Sequence, residues 1–337
     1  MQRIWERITE NTKAYQDILH ALENGSYPVS LHGLSEEALI QLFARLSADR
    51  QVLLVFSQDH QARAARTVLQ SFAAERVRYF PARPTYFYDI EAFSHENMNQ
   101  RLRTLHDLQR GTKGIYLTST EAMMNPMMPA SQYGELLLEV GQTIEPEEVI
   151  AQLVQLGYRR ETMIEGPGQF SARGGIIDCF PSDAEDPVRI EFFDIEIDSI
   201  RSFDLNTQRS FENLIKTAVP AALEFILSRQ QREVLAQRLR ADLQATVHRE
   251  KDGAEKTKRI EKFEKVLHQI ESDLPLPSAS LCFPYLKESV CLLDWMEEDA
   301  VILLDEPDRI LDAARDQQHQ FHHRLEELHL AGETLSK

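Results

Sequence analysis

The chain has 337 residues, 42% of them hydrophobic and 27% charged, with a net charge of −17. That length and balance suit two or three folded domains with ample cores and exclude a disordered chain. The acidic excess argues against a dedicated duplex binder, whose affinity comes largely from neutralising phosphates with Lys and Arg.

The first stretch, to about Glu23, reads as a helix, with Ile4, Ile8, Tyr15, Ile18, Leu19 and Leu22 at helical spacing and Asn24-Gly25 as its stop. Val29 to His32 reads as a buried strand. Ser35 then caps a helix that carries Leu39, Ile40, Leu42, Phe43 and Leu46 on one face. Val52 to Phe56 is a continuous apolar strand, Asp59 to Ala74 a helix, and Val77 to Phe80 a further strand. A Pro/Tyr-rich loop and a helix near Ser94 to Leu108 lead to the strand Gly114 to Thr118. Strands alternating with helices predict βαβ units and a mainly parallel sheet.

The pattern changes at Asn125-Pro126-Met127-Met128-Pro129. From there to about Ser210 the chain is strand-rich with one helix, roughly Pro146 to Leu156, which predicts a separate α+β domain. Beyond Ser210 it turns helical, from about Ser228 to Ser272, with Leu274 to Ala279 as a connecting loop. It returns to a buried strand at Ala300 to Leu304, ending in Asp305-Glu306-Pro307. The predicted organisation is therefore residues 1–124, 125–210 and 211–337.

Few constellations carry chemistry. Cys179, Cys282 and Cys291 form neither a disulfide framework nor a metal-binding spacing and read as reduced thiols. His319 and His323 are four apart on a polar helix but lack the H-E-x-x-H pattern. The basic stretch from Arg249 to Lys265 is interleaved with Glu250, Glu255, Glu261 and Glu264, the pattern of a solvated helix face. No apolar stretch reaches the roughly 18 residues that span a bilayer. The N-terminus lacks the apolar core of a signal peptide, so a cytoplasmic protein is expected.

The most specific motif is Arg173-Gly174-Gly175-Ile176-Ile177-Asp178-Cys179-Phe180-Pro181. Arg189-Ile190-Glu191-Phe192-Phe193 follows it, and then Asp198-Ser199-Ile200-Arg201 with Thr207-Gln208-Arg209-Ser210 behind. This run resembles the small inserted domain shared by the excision-repair helicase UvrB and the bacterial transcription-repair coupling factors. The resemblance covers nearly the whole chain, and it is closest to the N-terminal UvrB-like module of the coupling factors. It implies a degenerate P-loop helicase-type α/β domain interrupted by an α+β domain that docks the damage-recognition ATPase UvrA. By resemblance, the docking residues are Arg173, Arg160 with Arg159 as its adjacent alternative, and Glu191, with Phe170 and Phe180 as aromatic anchors or core residues. UvrB has an additional Arg two residues before the R-G arginine, where Ser171 stands here. The loop Pro84 to Arg101 is also shorter than the DNA-opening hairpin of UvrB.

A phosphate loop needs G-x-x-x-x-G-K-[ST] after a strand, so that backbone N–H groups, Lys and Mg²⁺ meet the phosphates. At the corresponding spot stand Gly33, Ser35, Glu36 and Glu37, with one glycine and no lysine, and the full motif occurs nowhere in the chain. Leu303-Leu304-Asp305-Glu306 resembles the acidic strand end that holds Mg²⁺ in such ATPases. Together these residues read as a vestigial nucleotide site with no cofactor, no metal and no catalysis. The resemblance further implies that the chain is part of a longer protein that meets RNA polymerase and double-stranded DNA through other regions. The rival readings are a nucleotide-hydrolysing helicase-type enzyme and a direct DNA-binding module of the same fold.

Overall fold

The computed structural model describes residues 13–83, 95–272, 276 and 279–335. The expected hairpin-free loop after Pro84 and the connecting loop after Leu274 fall largely outside them, as do Ile4 and Ile8. The first elements are α1 (Lys13–Glu23), α2 (Glu36–Leu46), β1 (Gln51–Phe56), α3 (Asp59–Ala73), β2 (Val77–Phe80), α4 (His95–Gln109), β3 (Gly114–Ser119) and α5 (Thr120–Met123). Then come β4 (Glu135–Glu139), α6 (Pro146–Gln155), β5 (Arg159–Arg160), β6 (Gln169–Arg173), β7 (Ile176–Phe180), β8 (Val188–Phe193), β9 (Glu196–Phe203), β10 (Ser210–Leu214) and β11 (Lys216–Pro220). The chain continues with α7 (Arg229–Arg249), α8 (Ala254–Glu271), α9 (Ala279–Cys282), β12 (Val301–Leu304) and α10 (Pro307–Leu330).

Two compact units result. One gathers Met1–Ala82, Arg110–Met123 and Met296–Ala314; the other gathers Arg83–Gln109, Met124–Trp295 and Arg315–Lys337. The first is built on a parallel sheet in the order β12-β1-β3-β2. β1 and β3 are buried on both faces, which is why they read as unbroken apolar runs. Val52, Leu54, Ile115, Leu117 and Tyr79 pack there with Ile40, Leu42 and Leu46 of α2 and Ala62 and Leu69 of α3.

Two sequence expectations fail in this unit. Val29 to His32 form no strand, and Val29 is largely exposed. The segment joins no sheet, and β1 is flanked by β12 and β3 instead. The strand at Val301–Leu304 is only half buried: Ile302 and Leu304 are 40% and 50% exposed. Among the described residues its one neighbour is β1, and of its four residues Val301 alone is buried.

The second unit contains a six-stranded mixed sheet, β10-β9-β8-β7-β6-β5, and a two-stranded sheet, β11-β4. Alternation sends Phe170, Ile177, Cys179, Val188, Ile190, Ile197 and Ile200 to one face of the larger sheet. They pack with Val149 and Leu153 of α6 and with Leu136, Leu138 and Val219 of the smaller sheet. Strand structure therefore continues past Ser210: β10 completes the large sheet and β11 pairs antiparallel with β4. The predicted long helix is a hairpin of two, α7 and α8, separated at Glu250 to Gly253. Ser228 and Gln231 form a reciprocal capping box at its start. In the same unit, Glu224 is held bidentately by the fully buried Arg101, at 2.5 and 2.9 Å, with Arg83 3.8 Å away. Tyr133 donates its hydroxyl proton to the Glu224 carbonyl.

Candidate protein-docking site

The face of the six-stranded sheet turned away from the core is an ordered lattice of polar groups, and the strand registers define its rows. Arg173 on β6 stands beside Ile176 on β7, then Glu191 on β8, then Ser199 on β9. The next row runs Ser171, Asp178, Arg189, Arg201 and Asn213. Neighbouring strands lie about 4.8 Å apart, so Arg173 and Glu191 are about 10 Å apart across the row.

The turn that delivers Arg173 is the two-residue hairpin Gly174-Gly175. Gly174 has φ +59°, the left-handed region that favours glycine. A Cβ on Gly175 would come within 3.1 Å of the Phe192 carbonyl oxygen, and Phe192 N donates to Gly175 O at 2.8 Å. The paired glycines thus make a tight turn; the irregularity of the ladder lies across β8 and β9, at Glu191/Phe192.

The charges are held in two different ways. Asp178 is buried and receives two hydrogen bonds from Arg189, at 2.6 and 2.9 Å. That guanidinium lies 4.5 Å from the centre of the Phe203 ring. Arg173 approaches Asp178 at 3.5 Å, yet its side chain stays 62% exposed. Arg189 is the principal partner of Asp178, so Arg173 is only loosely engaged. Glu191 accepts from the Ser199 hydroxyl at 2.8 Å and pairs with Arg201 at 3.2 Å. Its position on the surface is fixed from the neighbouring strand.

Arg159 and Arg160 form the short edge strand β5, and both are exposed. The parallel register places Arg159 on the face that carries Gln169 and Arg173, and Arg160 on the face of Phe170. The two phenylalanines are not surface anchors. Phe170 is wholly buried in the core. Phe180 is covered by Ile164, Phe203 and Leu205. Ser171 is itself buried. Sequence reasoning missed the supporting groups Arg189, Ser199 and Arg201. The two-residue period of a strand, which sets Arg189 beside Glu191, was the available signal.

Of the residues read as a vestigial nucleotide site, Gly33, Ser35, Glu36 and Glu37 lie at or just before the start of α2, and Asp305 and Glu306 lie just after β12. Gly33 lies in irregular chain, and Ser35 caps α2 by accepting from Ala38 N at 3.3 Å. Glu36 opens α2, but its side chain lies outside the described set. The exposed Glu37 carboxyl is lowered by its own backbone N–H and by Ser35. Asp305 N donates to Val55 O at the C-terminal end of the parallel sheet, and Glu306 follows with φ +52°. Burial, with Glu306 nearby, raises the Asp305 carboxyl. At the same end of the sheet, burial and then Asp59 raise Glu121. Ligands of open α/β sheets bind at this end, and here it carries the four carboxylates Asp59, Glu121, Asp305 and Glu306. Among the described residues no group of His, Cys, Asp and Glu has metal-binding geometry. Likewise, none of the described helices is long and apolar enough to cross a membrane.

The stretch that forms this lattice, residues 136–225, matches the UvrB interaction domain family. The chain carries a UvrB interaction domain. Beyond that domain, the chain is 31% identical over 288 residues to a transcription-repair-coupling factor of Staphylococcus aureus, covering 82% of this chain and 24% of the relative. It is 30% identical over 320 residues to the coupling factor of Staphylococcus haemolyticus, covering 92% of this chain and 27% of the relative. The chain thus spans about a quarter of the length of these relatives. The resemblance carried by the R-G-G-I-I-D motif extends over most of the sequence. The matched domain runs from just inside β4 past the end of β11, so it includes both strands that close its smaller sheet.

Proposed function

We propose that this chain is a non-catalytic docking module that recruits UvrA, as part of a transcription-repair coupling factor that brings excision repair to a stalled RNA polymerase. The observation that carries the reading is Arg173. It projects from the open face of a UvrB interaction domain, in one row with Glu191, while the local acid Asp178 is already clasped by Arg189. Arginines able to form bidentate pairs are among the residues that concentrate interface energy. Arg159 and Arg160 extend the basic edge of the same sheet. In this reading RNA polymerase and DNA are engaged by parts of the longer protein outside this chain. The parallel-sheet unit is a helicase-type domain whose nucleotide site has decayed. The absence of a phosphate-loop sequence and the four carboxylates at the ligand-binding end of the sheet support that part.

The test is calorimetric titration of the chain with UvrA. Saturable binding is expected, and Glu191→Arg should weaken it at least tenfold by placing like charge against the partner. No binding by the unaltered chain overturns the reading. Normal binding by Glu191→Arg removes Glu191 from the interface.

A further inference from the structure

Two residues along β8 from the charged row is an apolar spot that the fold does not use. Phe193 is 79% exposed, the highest value among the large hydrophobic residues of the described chain. Register places it on the outer face: its predecessor Phe192 packs against the core, and Phe193 pairs with Glu196 beside the turn Asp194-Ile195. Ile176, 39% exposed, lies on the same face between Arg173 and Glu191. An isolated exposed apolar residue is ordinary. Two of them interleaved with a loosely paired arginine and a fixed glutamate are the composition of an interface centre, where aromatic and Arg side chains dominate.

We infer that Phe193, with Ile176 beside it, is the apolar anchor of the docking face, seating in an apolar recess of UvrA bordered by an acidic group that meets Arg173. This rests on the UvrA reading above. The chemistry of the recess follows from complementarity. An excess positive charge at Arg173 calls for a carboxylate, and a bare phenyl ring calls for a dry pocket. The role assigned by sequence to Phe170 and Phe180 passes to a phenylalanine that contributes nothing to either core.

The experiment titrates UvrA against the full chain and its Phe193→Ala, Phe193→Leu, Phe211→Ala and Arg173→Ala variants at two salt concentrations. Phe211 is also exposed, at 58%, but sits on the edge strand β10. Phe193→Ala should bind at least tenfold more weakly with an unchanged thermal midpoint and an unchanged salt slope. Phe193→Leu should recover part of the loss, and Phe211→Ala should bind normally. Arg173→Ala should lose affinity and flatten the salt dependence. If Phe193→Ala binds normally while Arg173→Ala is weakened, the anchor is wrong and the UvrA reading stands. Equal losses at Phe193 and Phe211 would also overturn the anchor, since they would reflect general surface stickiness. If the unaltered chain fails to bind, both fall.

Discussion

Arg173 and Asp178 lie five residues apart in one motif and touch, yet they have opposite jobs. Asp178 is buried and its charge is met inside the domain by Arg189, whereas Arg173 is mostly in water. Exposed ion pairs contribute little to stability, and a charged hydrogen-bonded group under the surface contributes about 2 kcal/mol. Urea denaturation of the two variants checks this. Arg173→Ala should leave stability within about 0.5 kcal/mol of the parent, and Asp178→Asn should lower it by about 2 kcal/mol. Much of this was legible. Alternation along β6 separates Phe170 from Ser171 and Arg173, and so assigns the phenylalanine to the core. Phe180 was harder. It shares the outer face with Asp178, and what hides it is Ile164, Phe203 and Leu205, contributed by distant stretches that no local period reveals.

At the scale of elements, the α4 helix and the segment after β11 are locked by one carboxylate. Burial pushes the Glu224 carboxyl up, but the Arg101 charge and hydrogen bonds, with Arg83, outweigh it and leave it below its ordinary 4.5. A carboxyl lowered on folding stabilises the native state above its unfolded value, and that stability is lost as pH falls through the folded value. Glu224→Gln removes the carboxylate charge that the buried Arg101 grips at two oxygens and should cost about 3 kcal/mol at neutral pH. Chemical denaturation of both forms should show the gap shrinking as pH falls below about 4.5. A gap that persists unchanged at pH 3 would assign the loss to packing. The helices α2, α3, α4 and α6 and the strands β1, β2 and β3 were readable from periodicity and length. The strand expected at Val29 to His32 failed because a strand exists only where it pairs, and this segment joins no sheet, which sequence does not state. Strands β10 and β11 were missed for the converse reason. Ser210–Leu214 is exposed along almost its whole length, and Lys216–Pro220 is short, so neither has a strong apolar signature; pairing with β9 and β4 makes them strands.

For the molecule as a whole, the parallel-sheet unit carries Asp59, Glu121, Asp305 and Glu306 at the C-terminal end of its strands, the end at which open α/β sheets bind ligands. Calorimetry with Mg-ATP should show no saturable heat. A micromolar dissociation constant, about −8 kcal/mol, would restore a working nucleotide site. The interaction domain stands in a different relation to its surroundings. Its chain comes in along β4 and goes out along β11, and Glu135 and Pro220 are ladder partners. Paired residues of an antiparallel ladder are about 5 Å apart. The two ends of this domain are therefore no further apart than one ordinary loop could bridge. A domain wired in this way is a cassette: it can be spliced into a host at a surface loop without forcing the host to open.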